Sequence, residues 1–294
     1  PSSLYDPAVA AQDGIETARA RIAKTLHCRS DEIYFTACGS ESNNMAIYGA
    51  ALPRRHWGNK IVITGFEHPS VQLPIRALKE EGFTVVEIAP ERDGHIDTEK
   101  FLAAVDKNTV LATCMAVNNE TGARQDIAAL AKGIKAKNSR THFHVDAVQA
   151  WLRIPIDLQK WPGVDTLSVS GHKIHAPKGI GAMYIRKGLK ISPLIRGGGQ
   201  ENGLRSGTEA TGQLAALAAA VTAGRATLER DLAAMADLKQ YAMDRLKSAV
   251  PQGKVLVEGG APHILPISLV GYKSEVVVRF LSDRGVYISS GSAC

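Results

Sequence analysis

Seven short runs of apolar and β-branched residues recur along the N-terminal part of the chain, at positions 33–36, 61–64, 84–88, 110–117, 141–145, 166–170 and 182–185. Each is bounded by Gly, Asn, Asp or other turn residues, and runs this short and this continuously apolar predict strands covered on both faces. Helical spacing fills the gaps. Ile15, Ile22 and Leu26 precede the first run, and Ile127, Leu130, Ala131 and Ile134 repeat the pattern later, each series marking one apolar helix face. Strands alternating with helices predict an α/β fold built on a mostly parallel sheet.

From about 208 to 250 the pattern turns Ala/Leu-rich and helical, with an interruption near Gly224. Short strands near 255–257 and 267–270 then accompany a helix near 276–281. The expectation is a large domain over 1–228 and a smaller α+β domain over 229–294, joined by a long helix. The chain opens at Pro1-Ser2-Ser3 without an initiator Met and stops directly after Cys294. It therefore reads as a fragment whose small domain is incomplete.

Composition acts mainly by exclusion. With 294 residues, 45% hydrophobic and 22% charged, the chain has material for an ample core. The net charge of +6 is spread along it, and no Lys/Arg block interleaved with aromatics marks a nucleic-acid footprint. Mild basicity suits an anionic small ligand or an acidic protein partner. No uninterrupted apolar stretch of about 18 residues occurs, and the N-terminus has no charged-then-apolar leader, so no membrane span is expected and the cytoplasm is the expected location. Cys28, Cys38, Cys114 and Cys294 lie far apart with no CxxC pair, which predicts neither a structural zinc nor a disulfide framework. A reducing compartment leaves a thiol available for chemistry.

Ligands of open α/β sheets sit at the carboxyl ends of the strands, and polar clusters follow strand after strand here. They are Gly39-Ser40-Glu41-Ser42-Asn43-Asn44, Glu67-His68, Asn118-Asn119-Glu120, Asp146-Ala147-Val148-Gln149 and Ser170-Gly171-His172-Lys173. Any one of them alone is ordinarily a cap or a turn; five at equivalent strand ends point to one site. The Gly39 turn leads into a helix, whose free first-turn N–H groups and dipole suit a phosphate, the plain alternative being an N-cap by Ser40. Its glycine spacing matches neither the dinucleotide fingerprint nor the P-loop.

Most lysines are solvated surface charges, but Lys173 directly follows a buried strand, where desolvation favours an amine nucleophile. Ser170 and His172 beside it can hold a phosphate, which directs the reading toward a Schiff-base lysine. Asp146 then has a partner, because pyridoxal phosphate used as an electron sink needs an acidic group to keep its ring nitrogen protonated. His142, His144 and Asp146 occupy alternate positions on one strand face and offer a metal site instead, but a metal explains neither Lys173 nor the Gly39 turn. Cys294 ends a small-residue stretch from Ser289 that predicts a mobile loop after a strand, a setting that exposes a thiol. Cys28, Cys38 and Cys114 are expected to be packing residues, Cys114 within an apolar strand.

These residues resemble the NifS/IscS-type cysteine desulfurases, which have the class V aminotransferase fold, fold type I of the pyridoxal-phosphate enzymes. The matching stretches run through Pro1-Ser2-Ser3, Glu41-Ser42-Asn43-Asn44, Glu67-His68, Val117-Asn118-Asn119-Glu120-Thr121-Gly122, His144-Val145-Asp146-Ala147-Val148-Gln149, Ser170-Gly171-His172-Lys173, Gly197-Gly198-Gly199-Gln200-Glu201, Arg205-Ser206-Gly207-Thr208 and Ser290-Gly291-Ser292-Ala293-Cys294. The resemblance implies a pyridoxal phosphate cofactor, a homodimer, and conversion of L-cysteine to L-alanine with sulfur left as a persulfide on Cys294. It implies a sulfur-acceptor protein as partner, an iron–sulfur scaffold or a tRNA-thiolation protein, and a role in iron–sulfur cluster or thio-cofactor biosynthesis.

By motif, Lys173 would hold the cofactor, His68 would stack on its ring, Asp146 would pair with the ring nitrogen and Gln149 would contact the ring hydroxyl. Asn119 would sit near that hydroxyl and the substrate carboxylate. Ser40, Ser170 and His172 would hold the phosphate, and Thr208 would reach the phosphate of the neighbouring subunit. No metal is implied. There are departures: Ser40 stands where the family usually has Thr, Cys38 where a small residue is common, and His175-Ala176 where an aromatic or Gly pair is typical. The family's substrate-carboxylate arginine lies beyond the catalytic cysteine. The alternatives are a selenocysteine lyase or ordinary class V aminotransferase, or an assembly protein that keeps the fold without turnover.

Overall fold

The computed structural model describes residues 5–291. Seven strands form one sheet: β1 (Ile33–Thr36), β2 (Lys60–Thr64), β3 (Thr84–Ile88), β4 (Thr109–Thr113), β5 (His142–Asp146), β6 (Thr166–Ser170) and β7 (Gly181–Ile185), in the order β1-β7-β6-β5-β4-β2-β3. The β2–β3, β2–β4, β4–β5 and β5–β6 pairings are parallel. β7 alone runs against the rest, antiparallel to both β6 and β1. The other six strands therefore point the same way and deliver their carboxyl ends to one edge.

All seven apolar runs became strands, with two differences in detail. β4 ends at Thr113, short of the expected 117, so Cys114 lies just past the strand rather than within it. There the chain leaves the regular ladder for a turn that Val117 and Arg124 close by an isolated bridge. β3 is an edge strand and only partly covered, so the expectation of burial on both faces fails there; it holds for the central strands.

Helices cover both faces. α1 (Asp6–Leu26), α4 (Thr98–Ala104), α5 (Ile127–Lys137) and α6 (Thr211–Ala249) contribute Ile22, Leu26, Phe101, Ile134 and Leu217 to a core shared with Val62, Ala112, Phe143 and Leu167. α2 (Gly39–Arg54) and α3 (Pro69–Glu80) lie on the opposite face, where Ile47, Ala50, Val71 and Ile75 meet Ile61, Ile63 and Leu111. Adjacent strand residues pointing to opposite faces produce this division. α2 crosses β4, β5, β6 and β7, which sets its N-terminus above the strand ends.

Gly224 does not interrupt α6, a single helix of 39 residues that runs through position 228. A Cβ there would lie 3.5 Å from Leu152 Cδ1, an ordinary van der Waals contact, so the helix tolerates a glycine at this position without requiring one. β8 (Gly253–Val255) and β9 (Ile267–Leu269) pair antiparallel and precede α7 (Ser274–Ser282); β8 begins earlier than the expected 255–257. Among the described residues, no strand lies between α7 and Ser289. Val286-Tyr287-Ile288 is apolar but exposed coil without a neighbouring strand to pair with. Among the described residues, no helix is long and apolar enough to cross a membrane.

Candidate active site

The five polar clusters converge at the carboxyl edge of the sheet around one cavity of about 380 Å³, within the size range of small-molecule sites. Ser40, His68, Asn119, Asp146, Gln149, Ser170, His172 and Lys173 all line it. Thr208 does not. It borders a separate, smaller pocket with Arg205 and Glu201. Cys294 lies outside the described residues.

The floor is set by α2. Its N-cap is Cys38, not Ser40, and the cap is extended with no side-chain hydrogen bond, so the first-turn amides of Gly39 and Ser40 have no helical partners. A Cβ on Gly39 would come within 2.6 Å of Val148 Cγ2, so only glycine lets the helix start press against the loop after β5. Cys38 is half-buried and lines the cavity, contrary to the expectation of a plain packing residue. Ser170 Oγ and His172 Nδ1 are hydrogen-bonded at 2.8 Å beside this helix start. Burial, with Lys173 and Lys178 adding, holds the His172 pKa below its ordinary value.

Lys173 occupies a single 3-10 turn after β6, Gly171–Ile174, which His175 closes in the left-handed region at φ 66°. Arg153 Nη2 donates to the Lys173 carbonyl at 3.0 Å, tying that turn to the segment after β5. Asn119 is presented by its neighbour: Asn118 Oδ1 accepts from the amides of Glu120 (3.0 Å) and Thr121 (2.8 Å), while Asn118 Nδ2 donates to Phe66 O at 3.0 Å. Such a side-chain-bridged turn fixes loop direction without regular structure.

His68 caps α3, its Nδ1 accepting from Ser70 N at 3.1 Å and contacting Ser70 Oγ at 2.7 Å. A backbone N–H only donates, so Nδ1 is the acceptor and the ring proton sits on Nε2. Beneath it Glu67 is 3% exposed, and its Oε1 accepts from Thr64 Oγ1 and Met115 N, both at 2.9 Å. Its Oε2 is buried with no partner. Burial, reinforced by Asp146, pushes its carboxyl up to about 8.

Asp146, at the end of β5, is buried. Oδ1 accepts from Val148 N at 2.9 Å and Oδ2 from Asn43 Nδ2 at 2.7 Å. Burial lifts its pKa above the usual carboxylate range, against the pull of those donors and of His68 and Lys173. The metal alternative meets different geometry. His142 Nε2 and His144 Nδ1 both reach Thr166 Oγ1, at 2.8 and 2.9 Å, and His144 Nε2 reaches Asn43 Oδ1 at 3.0 Å. Both nitrogens of His144 and Nε2 of His142 are thus taken up by hydrogen bonds, while His142 Nδ1 is buried without a partner. Asn43 was visible in the motifs but had no role assigned, and Ser70 lies just beyond the Glu67-His68 pair and was not singled out; Met115 and Val148, also cavity-lining, carried no polar signal at all.

This sheet, with a lysine turn and a buried carboxylate facing a helix N-terminus across one cavity, defines the chain's class: it belongs to the class-V aminotransferase family, whose model matches residues 1–294. It is 41% identical to the NifS/IcsS protein homolog of Lactobacillus delbrueckii subsp. bulgaricus, over all of this chain and 77% of that protein. It is 37% identical to cysteine desulfurase IscS of Dictyoglomus turgidum, over all of this chain and 74% of that protein. A solved NifS-like protein superposes with a TM-score of 0.94 at 34% identity, covering 98% of this chain and 79% of the other.

Proposed function

We propose that the chain is a pyridoxal-phosphate-dependent cysteine desulfurase that converts L-cysteine to L-alanine and leaves the sulfur as a persulfide on Cys294. The observation that carries this is the meeting of Lys173, Asp146, His68 and an uncapped helix N-terminus on one cavity. The donor set fits the cofactor. A buried carboxylate that accepts from Val148 N and Asn43 Nδ2 suits a protonated ring nitrogen, and open first-turn amides with Ser40, Ser170 and His172 suit a phosphate. The names of the relatives support the same reading.

When bound, the cofactor would supply an imine-forming carbonyl and an electron sink for the substrate's Cα. Lys173 Nζ would hold it covalently and, once displaced by the substrate amine, take up the Cα proton. Asp146 would keep a proton on the ring nitrogen, His68 would lie over the ring, and Gln149 would meet the ring hydroxyl. Asn119 would stand between that hydroxyl and the substrate carboxylate. Cys294, as thiolate, would attack the substrate sulfur: an S–S bond forms, the Cβ–S bond breaks, and its electron pair remains with the carbon that becomes the alanine methyl.

Thr208 lies away from this cavity, which supports a role toward the phosphate of a neighbouring subunit and hence a homodimer. We divide the chain into a cofactor-binding domain over 1–228 and a smaller domain over 229–294, joined through α6. An acceptor protein, an iron–sulfur scaffold or a tRNA-thiolation protein, would take the persulfide sulfur in the cytoplasm. The test is borohydride reduction of purified protein loaded with pyridoxal phosphate, followed by peptide mapping. The cofactor is expected on Lys173, and an adduct on Lys178 or another lysine overturns the assignment.

A further inference from the structure

We propose that Asn43 is a positioning residue for this site, its amide locking the Asp146 carboxylate and the His68 ring into one geometry, with His144 holding that amide in its single productive orientation. The inference rests on the cofactor reading above and concerns residues to which that reading gives no part.

Asn43 is 1% exposed and uses both ends of its amide. Nδ2 donates to Asp146 Oδ2 at 2.7 Å and to Ser70 Oγ at 2.9 Å. Oδ1 faces His144 Nε2 at 3.0 Å. The orientation follows from chemistry. An ionised carboxylate only accepts, so turning the amide over would set Oδ1 against Asp146 and two acceptors would face each other. With Oδ1 as acceptor, His144 Nε2 must donate. His144 Nδ1 then accepts from the Thr166 hydroxyl at 2.9 Å, and Thr166 Oγ1 accepts from His142 Nε2 at 2.8 Å. His144 is fully buried, and burial takes its pKa down to about 3, so the ring keeps one proton and one donor direction.

The second Asn43 proton sets the other branch. Ser70 Oγ accepts it and sends its own proton to His68 Nδ1, which already accepts from Ser70 N. One amide thus connects the residue expected beside the ring nitrogen with the residue expected over the ring face. Asp146 in turn has one donor on each oxygen, Val148 N and Asn43 Nδ2, which fixes the plane of the carboxylate. A charge-assisted hydrogen bond in a dry site is of the stronger kind, and its loss leaves Asp146 free to rotate or protonate.

The test is a double-mutant cycle read by equilibrium binding. Cofactor-free wild type, Asn43→Ala, Asp146→Asn and the double variant are titrated with pyridoxal phosphate, with far-ultraviolet circular dichroism confirming that each is folded. Asn43→Ala is expected to weaken binding roughly ten- to hundredfold with Asp146 present, and by a markedly smaller factor, that of the Ser70–His68 branch alone, once Asp146 is Asn. Asn43→Asp, similar in size but without the donors, should weaken binding at least as far and stands in if the alanine variant misfolds. His144→Gln, which retains a donor, should bind near wild type, whereas His144→Leu should follow Asn43→Ala. Equal losses from Asn43→Ala in both Asp146 backgrounds, or wild-type binding by Asn43→Asp, overturn the proposal. Those outcomes leave the borohydride adduct on Lys173 intact; if wild type itself takes up no cofactor, the reading beneath the proposal falls and the proposal with it.

Discussion

Arg19 of α1 and Glu201 of the glycine-rich loop, 182 positions apart, form a two-pronged ion pair with contacts of 2.9 and 3.0 Å. Glu201 Oε2 also accepts from Phe35 N at 2.8 Å, and the Arg19 guanidinium lies 4.7 Å from the Phe35 ring centroid. One carboxylate therefore joins α1, the first strand and the loop that leads to Thr208. Glu201 itself sits in the left-handed region at φ 49°, a conformation that a non-glycine residue keeps only when its surroundings impose it.

Glu201→Ala should accordingly destabilise the protein by about 2–4 kcal/mol, since it leaves a mostly covered guanidinium with only Glu16 and the Ile33 carbonyl and orphans a buried N–H. Glu201→Gln retains one oxygen that can accept from both Phe35 N and Arg19 Nη1, as Oε2 does here, and should lose clearly less. Urea unfolding midpoints with unchanged slopes measure this. An alanine variant as stable as the glutamine variant would refute the linking role.

Glu67 gives stability a pH dependence of definite sign. Its folded pKa of about 8 lies above the ordinary value of 4.5, so its contribution is fully present below the unfolded value and is lost as pH rises through the folded one. His142 and His144, both held near about 3 by burial, act oppositely: their contribution is present above about 6.5 and declines as pH falls. Between pH 6.5 and 8 the Glu67 term should act without theirs. The thermal midpoint of the cofactor-free protein should fall across that window in wild type and stay flatter in Glu67→Gln. Parallel slopes in the two proteins would show that Glu67 ionises as readily folded as unfolded.

The sheet was legible because the central strands are buried on both faces and rich in apolar and β-branched residues, although β5 and β6 also bury His142, His144, Thr166 and Ser168. β3 reads the same way, Thr-Val-Val-Glu-Ile, although it lies at the edge, because local pattern does not encode which strand lacks a neighbour. Gly224 misleads for a related reason. A glycine inside a helix carries a penalty of about 1 kcal/mol, which the rest of a 39-residue helix absorbs, so a lone glycine does not mark a helix end.

The strand-end clusters revealed most of the cavity wall, since a shared strand direction brings them together without further information. Asn43 was different. Its two main partners, Asp146 and His144, lie 103 and 101 positions away, and a Ser-Asn-Asn run inside a helix looks like an ordinary polar face. Cys38 was taken for packing because nothing local marks it as the cap that opens onto the cavity.

Asp146→Asn separates charge from shape. The amide occupies the same volume and can still meet Val148 N, so pyridoxal phosphate is expected to bind, though more weakly. A neutral side chain cannot hold the ring nitrogen protonated, and alanine formation from cysteine should slow by at least roughly 100-fold, the scale of losing one preorganised electrostatic contact. Turnover near wild type would move the electron-sink role elsewhere.

The last expectation concerns the four thiols. Burial, with Glu32 and Asp31 adding, pushes the Cys28 thiol up to about 12, and burial raises Cys114 as well; neither supplies thiolate near neutral pH, so neither can take sulfur. Cys38 is different because it lines the cavity, which makes it the competitor that must be tested against Cys294. In protein extended to the length of its relatives, one turnover with cysteine followed by persulfide labelling and peptide mapping should mark Cys294. Cys294→Ala should still bind pyridoxal phosphate and respond spectrally to cysteine, because Lys173 and Asp146 handle the Cα proton without a thiol, yet it should release almost no alanine. Cys38→Ala, by contrast, should keep the persulfide on Cys294. Label on Cys38, or full alanine release by Cys294→Ala, would transfer the sulfur-accepting role from Cys294.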